Sequence, residues 1–222
     1  MDSILSPQPG TEMNLHDIKL DWWIEDTMRR VTESQKRKSE DALQGLPFFI
    51  NPLTGNNRDD RGHTIPFGTG PHSFESFEFW SKVIPVPSQI LEIGFNLGHG
   101  AAALLSLFPD SKLVSVDIRD SSEVHNAHNV LARRFPGRHE LVIGDSATVS
   151  LPFETFEAAF IDGAHDLKSI VKDINKCREY GVKYFLMDDV HPRHGDTLEA
   201  IKQTGLKLQA IVGANMAICE DV

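Results

Sequence analysis

The sequence predicts an α/β protein in which helices cover both faces of a doubly wound, mostly parallel sheet of seven strands. Three observations lead to this prediction. From residue 86 onward, short apolar segments alternate with helical segments of ten or more residues, the pattern of parallel strands joined by helices. A glycine-rich segment follows the first apolar segment. The chain ends in two apolar segments separated by Gly-Ala-Asn, which predicts a hairpin.

The predicted elements follow one another at regular intervals. Five segments are predicted as parallel strands, in the order QILEIG, KLVSVD, HELVIG, EAAFID and VKYFLMDD. The helices that join them are HGAAALLSLF, SSEVHNAHNVLARRF and LKSIVKDINKCREY, while a short connection links the third and fourth strands. The last segment, LKLQAIVGANMAICEDV, supplies the two strands of the hairpin, one of which adds to the sheet in the antiparallel sense.

Two regions are predicted along the chain. Residues 1–85 form an N-terminal helical extension, with helical patterns at about 14–44 and 73–83. Between these helices, about 51–71 is rich in Gly, Pro, Asn and Asp, which predicts a mobile loop. Residues 86–222 form the sheet domain. Aromatic side chains of the extension are expected to pack its helices onto the sheet, with a homo-oligomer contact through these helices or an aromatic platform for the substrate as the alternative.

Charge and composition limit the compartment and the partners. The chain has 32 acidic and 22 basic residues, a net charge of -10, and no basic patch, which argues against a nucleic-acid surface. Cys177 and Cys219 lack metal-ligand or redox spacing and are expected to be reduced thiols. The N-terminus has no secretion-signal pattern, and no apolar run reaches the ~18 residues of a membrane span. We therefore expect a cytoplasmic protein without membrane contact.

The segment LEIGFNLGHG, residues 91–100, is predicted to bind a ligand through its backbone. Gly94, Gly98 and Gly100 permit tight turning and close approach, and the helix that follows offers free N–H groups. Their spacing differs from the G-x-G-x-x-G of dinucleotide-binding loops. Glu92, two residues before the first glycine, suits a ligand with a positive group better than a pyrophosphate.

Polar residues also end the second and third strands. Asp117 is placed to accept both hydroxyls of a ribose, and Asp145 with Ser146 could reach an adenine edge. Alternatively, these are loop residues that cap helices. Because all three lie at strand ends close to the switch point of the sheet, the set favours ligand binding.

The fourth and fifth strands end in a cluster of acids. Asp162 ends the fourth, and Asp188 with Asp189 ends the fifth, so the three carboxylates are expected to converge. Such a cluster is costly unless it is protonated, paired or bound to a cation, and Mg²⁺ takes oxygen ligands. His165, three residues beyond Asp162, is placed as a general base for a hydroxyl that the metal acidifies. Alternatively, Asp162 contacts a cofactor and the other two acids form a turn.

These segments in this order resemble a family of enzymes. ILEIGFNLGHGAA, LVSVD, VIGDSA, FIDGAH and LMDD resemble the S-adenosylmethionine-dependent methyltransferases with the Rossmann-like fold, over about residues 86–222. The resemblance implies that S-adenosylmethionine binds here. It also implies a place for each binding residue: Glu92, Gly94 and Asn96 near the amino-acid end of the cofactor, with Gly98 and Gly100 in the same loop, Asp117 at its ribose, and Asp145 with Ser146 at its adenine.

The FIDGAH and MDD segments resemble a subgroup of these enzymes, the metal-dependent small-molecule O-methyltransferases that include macrolide-sugar and cephalosporin-pathway proteins and, more distantly, catechol O-methyltransferases. This implies Mg²⁺ or a similar cation at Asp162, Asp188 and Asp189, and catalytic roles for His165 and Asp162. The expected acceptor is a hydroxyl of a sugar, vicinal diol or catechol. Two alternatives stay open: an RNA 2′-O-methyltransferase, and a non-catalytic cofactor-binding scaffold or partner subunit. Against the first, no lysine follows Asp162 at the place where RNA 2′-O-methylation typically uses one.

Overall fold

The computed structural model describes residues 71–190, 196–212 and 216–222. These ranges contain five helices and seven strands. The helices are α1 (Pro71–Val83), α2 (His99–Leu107), α3 (Ser122–Arg134), α4 (Leu167–Glu179) and α5 (Asp196–Thr204). The strands are β1 (Gln89–Ile93), β2 (Lys112–Asp117), β3 (His139–Ile143), β4 (Ala158–Ile161), β5 (Tyr184–Met187), β6 (Lys207–Val212) and β7 (Met216–Glu220).

The strands form one sheet in the order β3-β2-β1-β4-β5-β7-β6. Strands β1 to β5 are parallel, whereas β7 runs antiparallel to both β5 and β6. This confirms the predicted fold class. Because β1 pairs with β2 on one side and with β4 on the other, the strand order reverses at β1, and a crevice opens there at the carboxyl ends of the strands.

Several of the sequence predictions concern residues that the structure does not describe, or elements that were not predicted. The predicted N-terminal helix, nearly all of the 51–71 loop and the Gly-Ala-Asn turn lie outside the described residues, and the domain boundary at residue 86 stays a prediction. Helix α5 was not among the elements predicted from the sequence, although acidic residues in its first turn and Lys202 in its last suit the helix dipole. Of the helices described, none is long and apolar enough to cross a membrane.

Apolar side chains cover both faces of the sheet, which explains why its strands are almost continuously hydrophobic. On one face, Leu91 and Ile93 of β1 belong to a buried cluster that includes residues of α4 and α5. On the other face, the ring of Phe77 in α1 lies 4.8 Å from that of Phe160 in β4, centroid to centroid. Helix α1 is therefore packed onto the sheet by buried aromatic contacts.

Removing one of these rings tests the packing of α1. We expect Phe77→Ala to lower the free energy of unfolding by about 3–5 kcal/mol, the usual cost of deleting a buried aromatic ring. Urea denaturation followed by circular dichroism measures the loss. Val86→Ala, at a residue that is 68% exposed, is the control. A loss below about 1 kcal/mol for Phe77→Ala, within the range of surface substitutions, would contradict this packing.

Candidate functional site

A cavity of about 620 Å³ lies at the carboxyl ends of the parallel strands. A volume of this size is typical of sites for cofactors and other small molecules. The cavity brings together nine of the twelve predicted site residues: Gly94, Asn96, Asp117, Asp145, Ser146, Asp162, His165, Asp188 and Asp189. Glu92, Gly98 and Gly100 do not line it.

Main-chain hydrogen bonds hold the two acidic strand ends side by side. The Asp162 N–H donates to the Ile93 carbonyl oxygen at 2.8 Å, and the Asp188 N–H donates to the Ile161 carbonyl oxygen at 3.0 Å. Each bond continues the ladder of the sheet by one residue beyond the strand. The positions of Asp162 and Asp188 therefore follow from the register of the central strands.

The glycine loop approaches the end of β4 very closely. Gly94 has φ +97°, and a Cβ atom placed on it would lie 1.9 Å from the carbonyl oxygen of Asp162. Two residues later, Asn96 also has a left-handed backbone, with φ +51°. Only glycine fits at position 94, because any side chain would overlap the backbone of Asp162, just beyond the end of β4.

The carboxylate of Asp117 joins the loops that follow β1 and β2. It accepts hydrogen bonds from the backbone N–H of Asn96 at 2.6 Å and from that of Arg119 at 2.8 Å. The Arg119 guanidinium in turn donates to the Asn96 side-chain oxygen. Arg119 lines the crevice but was absent from the sequence prediction, because its position beyond a strand gives no signal of this long-range contact.

A buried acid stands beside Ser146. The Ser146 hydroxyl donates to the carboxylate of Asp173, which is only 4% exposed and lies on α4. Burial raises the pKa of Asp173 to about 6. Asp173 was not among the predicted site residues, although an acid between the apolar Ile170 and Ile174 on one face of a helix was an available signal. Asp145, by contrast, accepts a hydrogen bond from the Ala147 N–H, a local turn contact.

His165 and Asp189 form a pair at the opposite end of the crevice. Nδ1 of His165 lies 2.9 Å from Oδ2 of Asp189, and the imidazole side chain is 51% exposed. The hydrogen bond to Asp189 raises the pKa of His165 above its ordinary value near 6.5. Because a carboxylate only accepts hydrogen bonds, the proton of the neutral ring lies on Nδ1 and the lone pair on Nε2.

Asp162 and Asp188 are partly buried acids that repel each other. Burial, and then the charge of Asp188, raises the pKa of Asp162 well above its ordinary value. Burial raises the pKa of Asp188 to about 6. Carboxylate oxygens are the ligands that Mg²⁺ prefers, so the donors fit a hard cation in kind. Their spacing does not: among the described residues, no group of three or more His, Cys, Asp or Glu side chains is arranged to hold a metal ion.

Glu92 lies beneath the glycine loop. Its side chain is fully buried, and it accepts a hydrogen bond from the Ser115 hydroxyl in the neighbouring strand β2. A Cβ atom on Gly100 would come within 2.5 Å of Glu92 Oε1, so the carboxyl group lies against the first turn of α2. The side chain of Glu92 therefore underlies the crevice and does not line it.

Part of the chain that forms the crevice is similar in sequence to a known protein family. Residues 91–183 match the sequence model of a family described as "Methyltransferase domain". This match covers fewer than half of the 222 residues and includes Gly94, Asp162 and His165. Among curated proteins, none matches the chain by sequence.

Solved structures share the fold at low sequence identity. Cofactor-bound Rv0187 from MTB aligns with a TM-score of 0.56 at 14% identity, over 95% of this chain and 98% of that chain. PH1948 from Pyrococcus horikoshii, a putative RNA methyltransferase, gives 0.57 at 12% identity, over 86% and 100%. An O-methyltransferase family 2 protein from Planctomyces limnophilus, in complex with apigenin, gives 0.51 at 15% identity, over 67% and 56%.

The chain is shorter than several of the proteins that it matches. The chain spans 56% of the Planctomyces limnophilus protein, and 50% and 56% of two other matched chains, or about half of their length. At such identities the structures show a shared fold. The family match adds that residues 91–183 are similar to a methyltransferase domain.

Proposed function

We propose that this protein transfers the methyl group of S-adenosylmethionine to a hydroxyl oxygen of a small molecule, with His165 as general base. The observation that carries the proposal is the His165–Asp189 pair, 2.9 Å apart, at the edge of the crevice. An imidazole that is oriented by a carboxylate and half-exposed has the arrangement of a general base. A hydroxyl is an acceptor that needs such a base, since it is a poor nucleophile while it keeps its proton.

The cofactor is proposed to lie along the crevice, from the end of β4 to the end of β3. Gly94 and Asn96 would hold its amino-acid end, and Asp117 its ribose hydroxyls. Ser146 and Asp145 would approach the adenine, with Asp173 held beside Ser146 by their hydrogen bond. The close approach at Gly94 supports this placement, because it leaves a backbone surface with no side chain in the way.

In this reaction the side chains of the protein accept one proton and hold the reacting groups in position. When bound, S-adenosylmethionine would supply an electrophilic methyl group for the acceptor oxygen, and its sulfur would keep the electron pair of the carbon–sulfur bond. Nε2 of His165 accepts the hydroxyl proton. Asp189 keeps the other ring nitrogen protonated and stabilises the imidazolium that results. Asp162, at the adjacent strand end, adds negative charge beside the imidazolium.

The charge of the crevice limits the acceptor. Six aspartates line it, against two cationic side chains, Arg119 and Lys172. This balance disfavours a polyanion, so the alternative of RNA 2′-O-methylation is the weaker one, even though a putative RNA methyltransferase shares the fold. A non-catalytic scaffold is also weaker, because binding a cofactor alone does not require the His165–Asp189 pair.

The metal is a separable part of the proposal. Asp162, Asp188 and Asp189 would hold Mg²⁺ or a similar cation, which when bound would orient and acidify the acceptor hydroxyl. The raised pKa values of Asp162 and Asp188 support it, because a cation would relieve their repulsion. The spacing of the described donors weighs against it. The proton transfer to His165 does not depend on it.

The placement of the cofactor is tested at Gly94. Gly94→Ala should abolish binding of S-adenosylhomocysteine, measured by calorimetry, because the new Cβ would overlap the backbone of Asp162. Gly181→Ala is the matched control: it also has a left-handed backbone, with φ +78°, but open space around it. The control should lose only about 1–2 kcal/mol of stability and keep its affinity. Unchanged affinity in Gly94→Ala would contradict the placement.

The general base is tested by pH profiles. His165→Gln should lower kcat by about 10²–10⁴-fold, the usual contribution of a general base. In the wild type, kcat/KM should rise with pH through the raised pKa of His165, because only the neutral ring accepts a proton. Asp189→Asn should move this rise to lower pH, and asparagine tolerates the left-handed backbone at this position. Identical profiles for wild type and Asp189→Asn would contradict the role of the pair.

The metal is tested by binding as well as by activity. If the cluster holds Mg²⁺, titration of Mg²⁺ into EDTA-stripped protein should give a saturable heat that is lost in Asp188→Asn. Asp173→Asn, at an acid of the same crevice outside the cluster, should keep it. Methyl transfer that survives exhaustive chelation, together with no such heat, would remove the metal from the proposal and leave the base in place.

A further inference from the structure

A continuous chain of hydrogen bonds runs from beneath the glycine loop to the surface of α3. The Ser115 hydroxyl contacts Glu92 Oε2 on one side and, at 3.0 Å, His139 Nε2 on the other. Nδ1 of His139 then lies 3.1 Å from Nδ1 of His128. Glu92, Ser115 and His139 are buried, whereas His128 is partly exposed. None of these four residues takes part in the proton transfer at His165.

The donors and acceptors of this hydrogen-bond chain can be arranged in two ways, with all donors pointing toward Glu92 or all pointing away from it. When Glu92 is ionised it only accepts, so Ser115 donates to Glu92, His139 donates from Nε2 to Ser115, and His128 donates from Nδ1 to His139. When Glu92 is protonated, every donor reverses, and His139 donates from Nδ1 to His128. Both arrangements satisfy every contact. They differ in whether the proton lies on Glu92 or on Nδ1 of His128.

The chain also touches the cofactor loop at two points. The ring of Phe95, next to Gly94, stacks on His139 with centroids 5.2 Å apart and an interplanar angle of 28°. Glu92 lies two residues before Gly94, and its Oε1 lies against the first turn of α2. A change in the charge of Glu92 or in the position of His139 therefore acts directly on the loop.

We propose that Glu92, Ser115, His139 and His128 form a proton relay that positions the glycine loop and couples S-adenosylmethionine binding to the release of a proton at His128. Three of them act through Glu92 and are positioning residues, since none touches the crevice. The inference rests on cofactor binding and is independent of the methyl acceptor and of the base.

The steps of the relay together move one proton from solvent at His128 to Glu92. Nε2 of His128 takes up a proton from solvent, and Nδ1 of the same ring passes its own to Nδ1 of His139. Nε2 of His139 passes its proton to the Ser115 hydroxyl, which passes its own to Glu92. The net result is a neutral Glu92 and a neutral His128. Cofactor binding reverses these steps.

The environments of the two ends suit such a transfer. Burial raises the pKa of Glu92 well above its ordinary value, and burial lowers that of His128, so their proton affinities approach each other. Burial also lowers the pKa of His139 to about 3, which keeps this ring neutral as a conductor. The other charged groups that act on the ends are Asp162 and Asp117 on Glu92, and His125 on His128.

The cofactor controls the relay through charge. Asp162 and Asp117 line the crevice and already raise the proton affinity of Glu92 by repulsion. A sulfonium and an ammonium group beside them favour the ionised form of Glu92. Binding therefore expels the proton, and the affinity for S-adenosylmethionine must fall as the pH is lowered.

Nitrogen NMR tests the chain without any ligand. Because the two Nδ1 atoms face each other, one ring of the pair must carry its proton on Nδ1 and the other must not. Long-range ¹H–¹⁵N spectra of the full chain should show this mixed pair, assigned by its loss in His128→Gln. Two rings that are both protonated only on Nε2 would overturn the relay.

Calorimetry tests the coupling. Titration of S-adenosylmethionine in two buffers of different ionisation enthalpy should show proton release. Its Kd should rise by up to about tenfold per pH unit as the pH falls through the range in which Glu92 takes up its proton. S-adenosylhomocysteine, which lacks the sulfonium charge, should release less.

His128→Gln separates the relay from mere packing. The glutamine amide can donate to His139 but cannot titrate, so the variant should fold and bind while losing the proton release. His125→Gln, on the same helix but outside the chain, should keep the proton release, although the pH at which it occurs shifts because His125 acts on the pKa of His128. Proton release that persists in His128→Gln would overturn the relay alone, whereas a wild type that binds no S-adenosylmethionine would overturn the cofactor function and the relay together.

Discussion

The crevice depends on one close approach, that of the glycine loop to the end of β4. The backbone of Asp162 occupies the space that a side chain at position 94 would need, and a hydrogen bond from Asp162 to Ile93 fixes the distance. This contact brings the glycine loop after β1 next to the acidic end of β4. A bound cofactor and the His165–Asp189 pair can then share one cavity.

Negative charge is the second constraint on this site. Six aspartates line the cavity, and burial raises the pKa values of Asp162 and Asp188, with further repulsion from Asp188 at Asp162 and from Asp189 at Asp188. Such a site would stabilise the cations of the proposed reaction: the sulfonium of S-adenosylmethionine, an imidazolium at His165, and a metal ion if one binds. Glu92 adds a further carboxyl group beneath the glycine loop, and Asp162 and Asp117 of the crevice raise its pKa, so the crevice and the hydrogen-bond chain that begins at Glu92 are electrostatically linked.

Much of this could be predicted from the sequence. The apolar segments place Asp117, Asp162 and Asp188 at strand ends, and in a parallel sheet all such ends lie on one edge. The glycines show where the backbone must turn. By contrast, the contact of Ser146 with Asp173 joins residues 27 positions apart, and the burial of Glu92 depends on how α2 packs on β1. Neither is encoded in local spacing.

The sequence by itself determined the order of the strands and of all described helices except α5 along the chain, the glycine positions in the loop after β1, and the set of polar residues at the edge of the sheet. These features depend on local periodicity and on backbone preferences. Only the tertiary structure decided which polar groups pair: His165 with Asp189, Ser146 with Asp173, and Glu92 with Ser115 and the two histidines behind it. The physical reason is that such pairs depend on strand register, burial and the left-handed turn at Asp189, which arise only when distant segments pack together.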